Sequence, residues 1–179
     1  MSTTQPFLIT AQGRRRFACS AVAVQAIIVN ADERVLLLSS PTKNRPDEWQ
    51  VISGGLEAAE TVLAGVLREV HEEAGPHLQV RPLGVVHAQT FHFDHHVPYM
   101  IGIYYLLAYE GGAVQPGDDM RDARSRWWSL EELSATTVRL HPSTQLWMLH
   151  RAVVLYRVWH DQPPVPLQPA LDPEHGSEV

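Results

Sequence analysis

Cysteine is almost missing from this chain, and the single Cys19 excludes an intrachain disulfide. It stands in a strand-like apolar stretch, where a buried, inert thiol is expected, in keeping with a reducing compartment. Positive charge is also scarce: 14 Lys and Arg against 20 Asp and Glu leave a formal net charge of −6. That balance argues against a polymeric nucleic-acid partner, whose binding needs a basic surface. Long apolar runs are absent as well. No segment has an uninterrupted membrane-length stretch, and MSTTQPFLIT at the N-terminus has neither a basic n-region nor an apolar h-region. The expectation is a cytoplasmic protein without membrane contact. There is no internal repeat.

What is present suits one domain, since 179 residues with 45% hydrophobic content can bury a substantial core. Residues 1–13 read as a tail and 14–160 as the domain, closed by a helix over 143–159. Residues 161–179, with Pro163, Pro164, Pro166, Pro169 and Pro173, read as an extended, disordered tail.

The most informative stretch is GGLEAAETVLAGVLREVHEEAG, from Gly54 to Gly75. Leu63, Val66, Leu67, Val70 and Ala74 recur at helical spacing, which predicts an amphipathic helix over Val62 to Ala74. Thr61 is its N-cap, and Gly75 followed by Pro76 its stop. Glu69, Glu72 and Glu73 at i, i+3 and i+4 share one face and crowd the last turn. Like charges there cost about 0.2–0.5 kcal/mol per pair, and the helix dipole adds a similar penalty. Arg68 is the only basic side chain within the helix apart from histidine, so a bound divalent cation would offset the repulsion. A solvated acidic face is the plain alternative.

Gly54, Glu60, Arg68-Glu69-Val70, Glu72-Glu73 and Gly75, led in by Trp49-Gln50-Val51-Ile52-Ser53-Gly54-Gly55-Leu56-Glu57, resemble the signature of the Nudix hydrolases. The run Trp127-Trp128-Ser129-Leu130-Glu131-Glu132-Leu133 resembles the family's usual C-terminal element. Four positions depart: Ile52 stands for the usual proline, Ser53 for the first glycine, Ala59 for the glycine before Glu60, and Pro76 for an aliphatic residue. None removes a carboxylate. The resemblance covers about residues 17–135 and implies an α/β fold, a mixed sheet sandwiched between helices (α/β/α). It also implies metal-dependent hydrolysis of the diphosphate linkage of a nucleotide derivative, a nucleoside triphosphate or an ADP-sugar such as ADP-ribose.

By that resemblance Mg²⁺ or Mn²⁺ is the cofactor, hard cations that want oxygen ligands. Glu69 and Glu73 are expected as direct ligands, and Glu72 as a third ligand or the catalytic base. Glu57 reaches the metal directly or through water, and the Ser53 carbonyl adds a ligand that survives the glycine replacement. Arg68 orients the carboxylates, Glu60 braces the loop–helix junction, and Gly65 leaves room on the carboxylate side. A non-catalytic, nucleotide-sensing domain of the same family is the rival reading, and a purely structural module a third.

The flanking segments set the frame. Phe17 to Val29 and Arg34 to Leu38 predict a hairpin across Asn30-Ala31-Asp32-Glu33. The loop from Ser40 to Asp47 carries Lys43 and Arg45, candidate contacts for substrate phosphates. Leu78 to Phe93 and Val97 to Tyr109 predict two long strands, with His92, Asp94, His95 and His96 between or beside them. Their spacing matches no structural zinc pattern, and substrate-facing or pH-sensitive contacts are equally open. Asp118, Asp119 and Asp122 lie in a long loop where the family places an assisting acid, and a solvated loop is the simpler account. Ser129 and Glu132 form a capping box. Helix 143–159 is apolar around most of its circumference, so it docks on the sheet opposite the motif helix or meets a second copy of the chain.

Overall fold

Ala21–Val29 and Val35–Ser39 are apolar on both faces instead of alternating, the pattern of strands covered on two sides. The computed structural model describes residues 7–9, 13, 15–43, 45–117, 120–135 and 137–162, and it covers them in that way. In chain order the elements are β1 (Phe7–Ile9), β2 (Arg16–Ala18), β3 (Ala21–Val29), β4 (Val35–Ser39), β5 (Glu48–Trp49), β6 (Ile52–Gly55) and α1 (Val62–Ala74). There follow β7 (Gln79–Phe91), β8 (Met100–Gly111), β9 (Arg124–Trp128), α2 (Leu130–Ala135), β10 (Arg139–Leu140) and α3 (Leu146–Trp159).

Among the described residues, β7-β8-β3-β4-β9 form a mixed sheet, with β6 joined to β3. β3 and β8 run parallel, from Ala21 beside Met100 to Val29 beside Ala108, and the other pairings are antiparallel. α1 packs Val66, Val70 and Ala74 on one face, against Val24, Ala26, Ile28 and Leu36. α3 packs Met148, Leu149, Ala152 and Val153 on the other, against Ile27, Leu37, Tyr104 and Leu106. Each fully buried Val, Leu, Ile or Met among them contributes about 1.5–3 kcal/mol, and each alanine about 0.8 kcal/mol. The result is the expected α/β/α sandwich.

The hairpin forms at its turn, where Asn30 Oδ1 accepts the backbone N–H of Asp32 at 3.1 Å and of Arg34 at 2.9 Å. Beyond Val29 and Val35 the two strands part. β6 takes the edge of β3 from Ala23 to Ala26, while β4 pairs with β9 along its whole length. Cys19 departs from expectation: it is exposed. Phe17 to Ser20 does not extend β3, because Arg16–Ala18 pairs with Phe7–Ile9 in a separate ribbon. Part of the expected N-terminal tail is therefore a strand. The rest of that tail, except Gly13, and residues 163–179 lie outside the described residues.

α3 starts at Leu146 and not at 143, since the chain before it is fixed by other bonds. Thr144 Oγ1 accepts the Val51 N–H at 3.0 Å, and His141 Nδ1 meets Ser143 Oγ at 2.7 Å. Its inner face docks on the sheet opposite α1, with Val154 and Val158 outward. No helix among the described residues is long and apolar enough to cross a membrane.

Candidate active site

α1 occupies the predicted span, with Thr61 Oγ1 accepting from the Ala64 N–H at 3.2 Å. At its other end Gly75 has φ 104° and ψ 157°, a positive φ that favours glycine but not the left-handed helical cap expected. Pro76 accounts for the difference, because the residue before a proline is driven to extended ψ. A Cβ at Gly75 would also strike the Gln115 carbonyl.

Helical spacing places the carboxylate face against β6, and Arg68 organises it. Its Nε donates to Glu60 Oε1 at 3.0 Å, and its Nη1 donates to Glu69 Oε1 and Glu72 Oε2, both at 2.8 Å. Its Nη2 reaches the Gly55 carbonyl at 2.9 Å and Glu60 Oε2 at 3.2 Å. The Glu60 hydrogen bond, more than any other, holds the guanidinium charged, and the same bond keeps the Glu60 carboxyl below its ordinary value. Glu60 also accepts the Glu57 N–H at 3.1 Å, bracing the loop before the helix.

Glu69 and Glu73 are buried, with exposures of 8% and 4%, whereas the Glu72 side chain is 40% exposed. Burial pushes the Glu69 carboxyl up, against the opposing pull of Arg68. Glu73 Oε2 accepts the Ser53 N–H at 3.0 Å, and its Oε1 lies 3.8 Å from Lys43 Nζ. Two glycines make room: a Cβ at Gly54 would fall on the Glu69 carboxylate, and one at Gly65 would meet Glu60 and Leu56 at 2.8 Å.

The other candidates divide. Lys43 joins the site, but Arg45 lines a separate cavity of about 390 Å³ with Asp47, Asp122 and Arg124. Glu57 is exposed. Asp118 and Asp119 lie outside the described residues. Asp94 Oδ1 accepts the N–H of His96 and Val97, each at 2.7 Å, and the Val97 bond leads in holding its carboxyl below the ordinary value. The rings of His95 and His96 lie 3.7 Å apart, tilted by 44° to each other. Among the described residues no three His, Cys, Asp or Glu side chains stand ready as a metal cage. In the carboxylate cluster the reason is visible: Arg68 lies between Glu69 and Glu72, and Glu73 is turned to Ser53. The donor set nevertheless fits a hard cation. It consists of oxygens alone, two of its carboxylates, Glu69 and Glu73, are buried at a desolvation cost that a cation would relieve, and magnesium keeps several waters instead of demanding a full cage.

A larger cavity of about 780 Å³ adjoins this site across β6. Ser53, Gly54 and Gly55 line it, together with Gln25, Gln89, Phe91, Phe93, Tyr104 and the His141–Gln145 loop. None of these beyond the glycine strand and Ser53 was singled out from sequence as a site residue except His92, which also lines it. The available signal was Gln25, a polar residue inside an apolar strand.

A sheet between two helices, with an arginine-held glutamate face on one helix set against a glycine strand, defines a class of protein: an α/β/α domain built around a helix-borne carboxylate site. The NUDIX domain model matches residues 20–149, and the chain belongs to the Nudix hydrolase family. It is 33% identical over 121 residues to the NAD-capped RNA hydrolase NudC of Vibrio parahaemolyticus, covering 66% of this chain and 41% of that protein. The chain thus spans less than half the length of that curated relative. It is 35% identical over 112 residues to the ADP-ribose pyrophosphatase of Methanocaldococcus jannaschii, covering 61% of this chain and 63% of that protein. The crystal structure of an ADP-ribose pyrophosphatase from Streptococcus suis superposes with a TM-score of 0.61 at 22% identity, covering 78% of this chain and 93% of that one. At that identity the likeness concerns the fold.

Proposed function

We propose that the chain is a pyrophosphohydrolase that cleaves the diphosphate linkage of a nucleotide derivative by attack of water on phosphorus. A nucleoside triphosphate and an ADP-sugar such as ADP-ribose are the leading substrates, and the names of the relatives add NAD-linked compounds. The observation that carries the reading is the Arg68 hub, which gathers Glu60, Glu69 and Glu72 beside the glycine strand. A merely solvated acidic face would not bury Glu69 and Glu73.

Glu69, Glu72 and Glu73, with the Ser53 carbonyl and Glu57 near the rim, would hold Mg²⁺ or Mn²⁺. Bound there, the cation would neutralise the non-bridging phosphate oxygens and lower the pKa of an attacking water. The protein's own groups do the positioning. Glu72, half-buried and held by Arg68, would take the proton as the water oxygen bonds to phosphorus and the bridging P–O bond breaks. Arg68 acts through the carboxylates, its side-chain hydrogen bonds going to them and to the Gly55 carbonyl. Lys43, 3.8 Å from Glu73, would meet incoming phosphates.

Incubation with ADP-ribose, NADH, dinucleoside polyphosphates and nucleoside triphosphates, in Mg²⁺ and then Mn²⁺, tests this. Turnover of at least one compound is expected, abolished by chelator and reduced about 10²–10⁴-fold in Glu72→Gln. Metal-dependent binding without turnover would instead establish a nucleotide sensor.

A further inference from the structure

β7 is an outer strand of the sheet: it pairs with β8 on one side and, among the described residues, with no strand on the other. A free edge is a template for another strand, and proteins usually blunt it with charge, proline or bulges. The first half of β7 is blunted in that way. It holds Pro82 and register shifts at Pro82/Gly84 and Val85/His87, and Arg81 ties it to the end of α3, its Nη2 donating to the His160 carbonyl at 2.6 Å. The second half has none of these devices. From His87 to Phe91 the register with β8 is unbroken, there is no proline, glycine, lysine or acid, and no backbone group bonds to the backbone of another described segment.

The flanking face is bare as well. Ala88 and Thr90 stand opposite Ile103 and Ile101 on α1's side of the sheet, but α1 packs mainly against β3 and β6, and Ala88, Thr90 and Ile101 are exposed. Residues 82–109, both strands and their loop, hold a single Asp, Glu, Lys or Arg, namely Asp94, where the chain's 19% would place about five. Asp94 itself is turned to the His96 and Val97 N–H groups of its own loop. Val85, Phe93, Tyr99 and Ile101, four of the large hydrophobic side chains left exposed, belong to the same hairpin. Interface cores are depleted of charge in this manner.

Charge also says what fits. Two copies of a chain at −6 repel each other except where they meet through uncharged surface, and this hairpin supplies it. A polyanion or a basic partner would find no charge here to pair with. The segment matches itself when reversed: in an antiparallel pair centred on Gln89, Gln89 meets Gln89 of the second copy, His87 meets Phe91, and Ala88 meets Thr90. Amide then lies on amide, ring on ring and small on small.

We propose that two copies of the chain pair antiparallel through the His87–Phe91 edge of β7, across a two-fold axis, joining their sheets into one. Gln89 and Phe91 also line the larger cavity, so the interface runs along the outer side of that cavity's wall in each copy. The pairing is independent of the chemistry at Arg68 and the glutamates.

Sedimentation velocity between about 1 and 200 μM tests it, because an interface built on one short strand is small and dissociates in the micromolar range. At the upper concentration the wild type should sediment at twice 20.1 kDa. Thr90→Lys and Thr90→Glu, which set a charge of either sign in the pairing strand, should sediment at 20.1 kDa. Their circular-dichroism spectra should match the wild type, since Thr90 is exposed. Val154→Lys, on the outer face of α3, should still dimerise. Hydrogen exchange at amides 87–91 should be slower in the concentrated wild type than in the dilute one, and it decides alone should both Thr90 variants fail to fold. A wild type that stays monomeric, a dimer that survives both Thr90 substitutions or is broken by Val154→Lys, or exchange at 87–91 that ignores concentration overturns the proposal. Protection of these amides in a monomer would place another part of the same chain on the edge, and overturns it too.

Discussion

Ala59 has φ 64°, in the left-handed region where a Cβ crowds the backbone at about 1–2 kcal/mol. Its resemblance to the family pattern lapses at this very residue, where glycine is usual. Glycine would relieve the strain but surrender about 0.5–1 kcal/mol of unfolded-chain entropy. Ala59→Gly is therefore expected to gain about 0.5–1 kcal/mol, raising the thermal midpoint by about 1–4 °C. Circular-dichroism melting checks it, and an unchanged or lower midpoint would show the turn to be relaxed around alanine. Gly54 obeys the opposite logic, since any Cβ there would displace Glu69. At this scale the carboxylates, Arg68 and the glycines were legible, because they lie within one helix turn or one loop of each other. Gln25, Tyr104 and Phe91 were not, since their cavity exists only once β3, β6, β7, β8 and the loop before α3 converge.

Helix α3 carries apolar residues around most of its surface, so sequence alone left its docked face open. The structure selects it: Leu149 is 1% exposed in the core, and Val154 is 55% exposed. Leu149→Ala should lose about 2–5 kcal/mol, whereas Val154→Ala should stay within about 0.5 kcal/mol. Urea unfolding of both variants measures the contrast, and similar losses would mean that the outer face is also covered, as in contact with a second copy. The motif helix was readable to the residue because its cap, periodicity and stop agree. The hairpin was readable only at its turn, which is local chemistry. Which strand occupies the edge of β3 depends on β6, some 25 residues further on, and no periodicity records that choice. Cys19 failed for the same reason, as an apolar stretch is a strand signal but does not say in which sheet.

Across the whole molecule, ionised carboxylates tie remote segments together. Glu33, in the β3–β4 turn, is bonded by Arg157 near the end of α3, and that bond is foremost in holding its carboxyl below the ordinary value of 4.5. Glu132 is held below the same value first by the Ser129 backbone N–H, and it also pairs with Arg34 of the turn and Arg126 of β9. Glu60 and Asp94 are likewise depressed. For each, the unfolded chain takes up its proton first as pH falls, so the stabilisation is complete above about pH 4.5 and is lost as pH drops through the folded value. Glu69 has the opposite sign, and its window lies above 4.5, so it adds nothing to this acid limb. The thermal midpoint of the metal-free chain should therefore decline below about pH 4.5. Glu132→Gln keeps an acceptor for the Ser129 N–H but cannot titrate, and its midpoint should decline less over the same range while differing little in slope above pH 5. Melting curves between pH 6 and pH 3 for the two proteins decide the matter, and parallel limbs would place the acid-sensitive links elsewhere than in the capping box that joins β9, α2 and the β3–β4 turn.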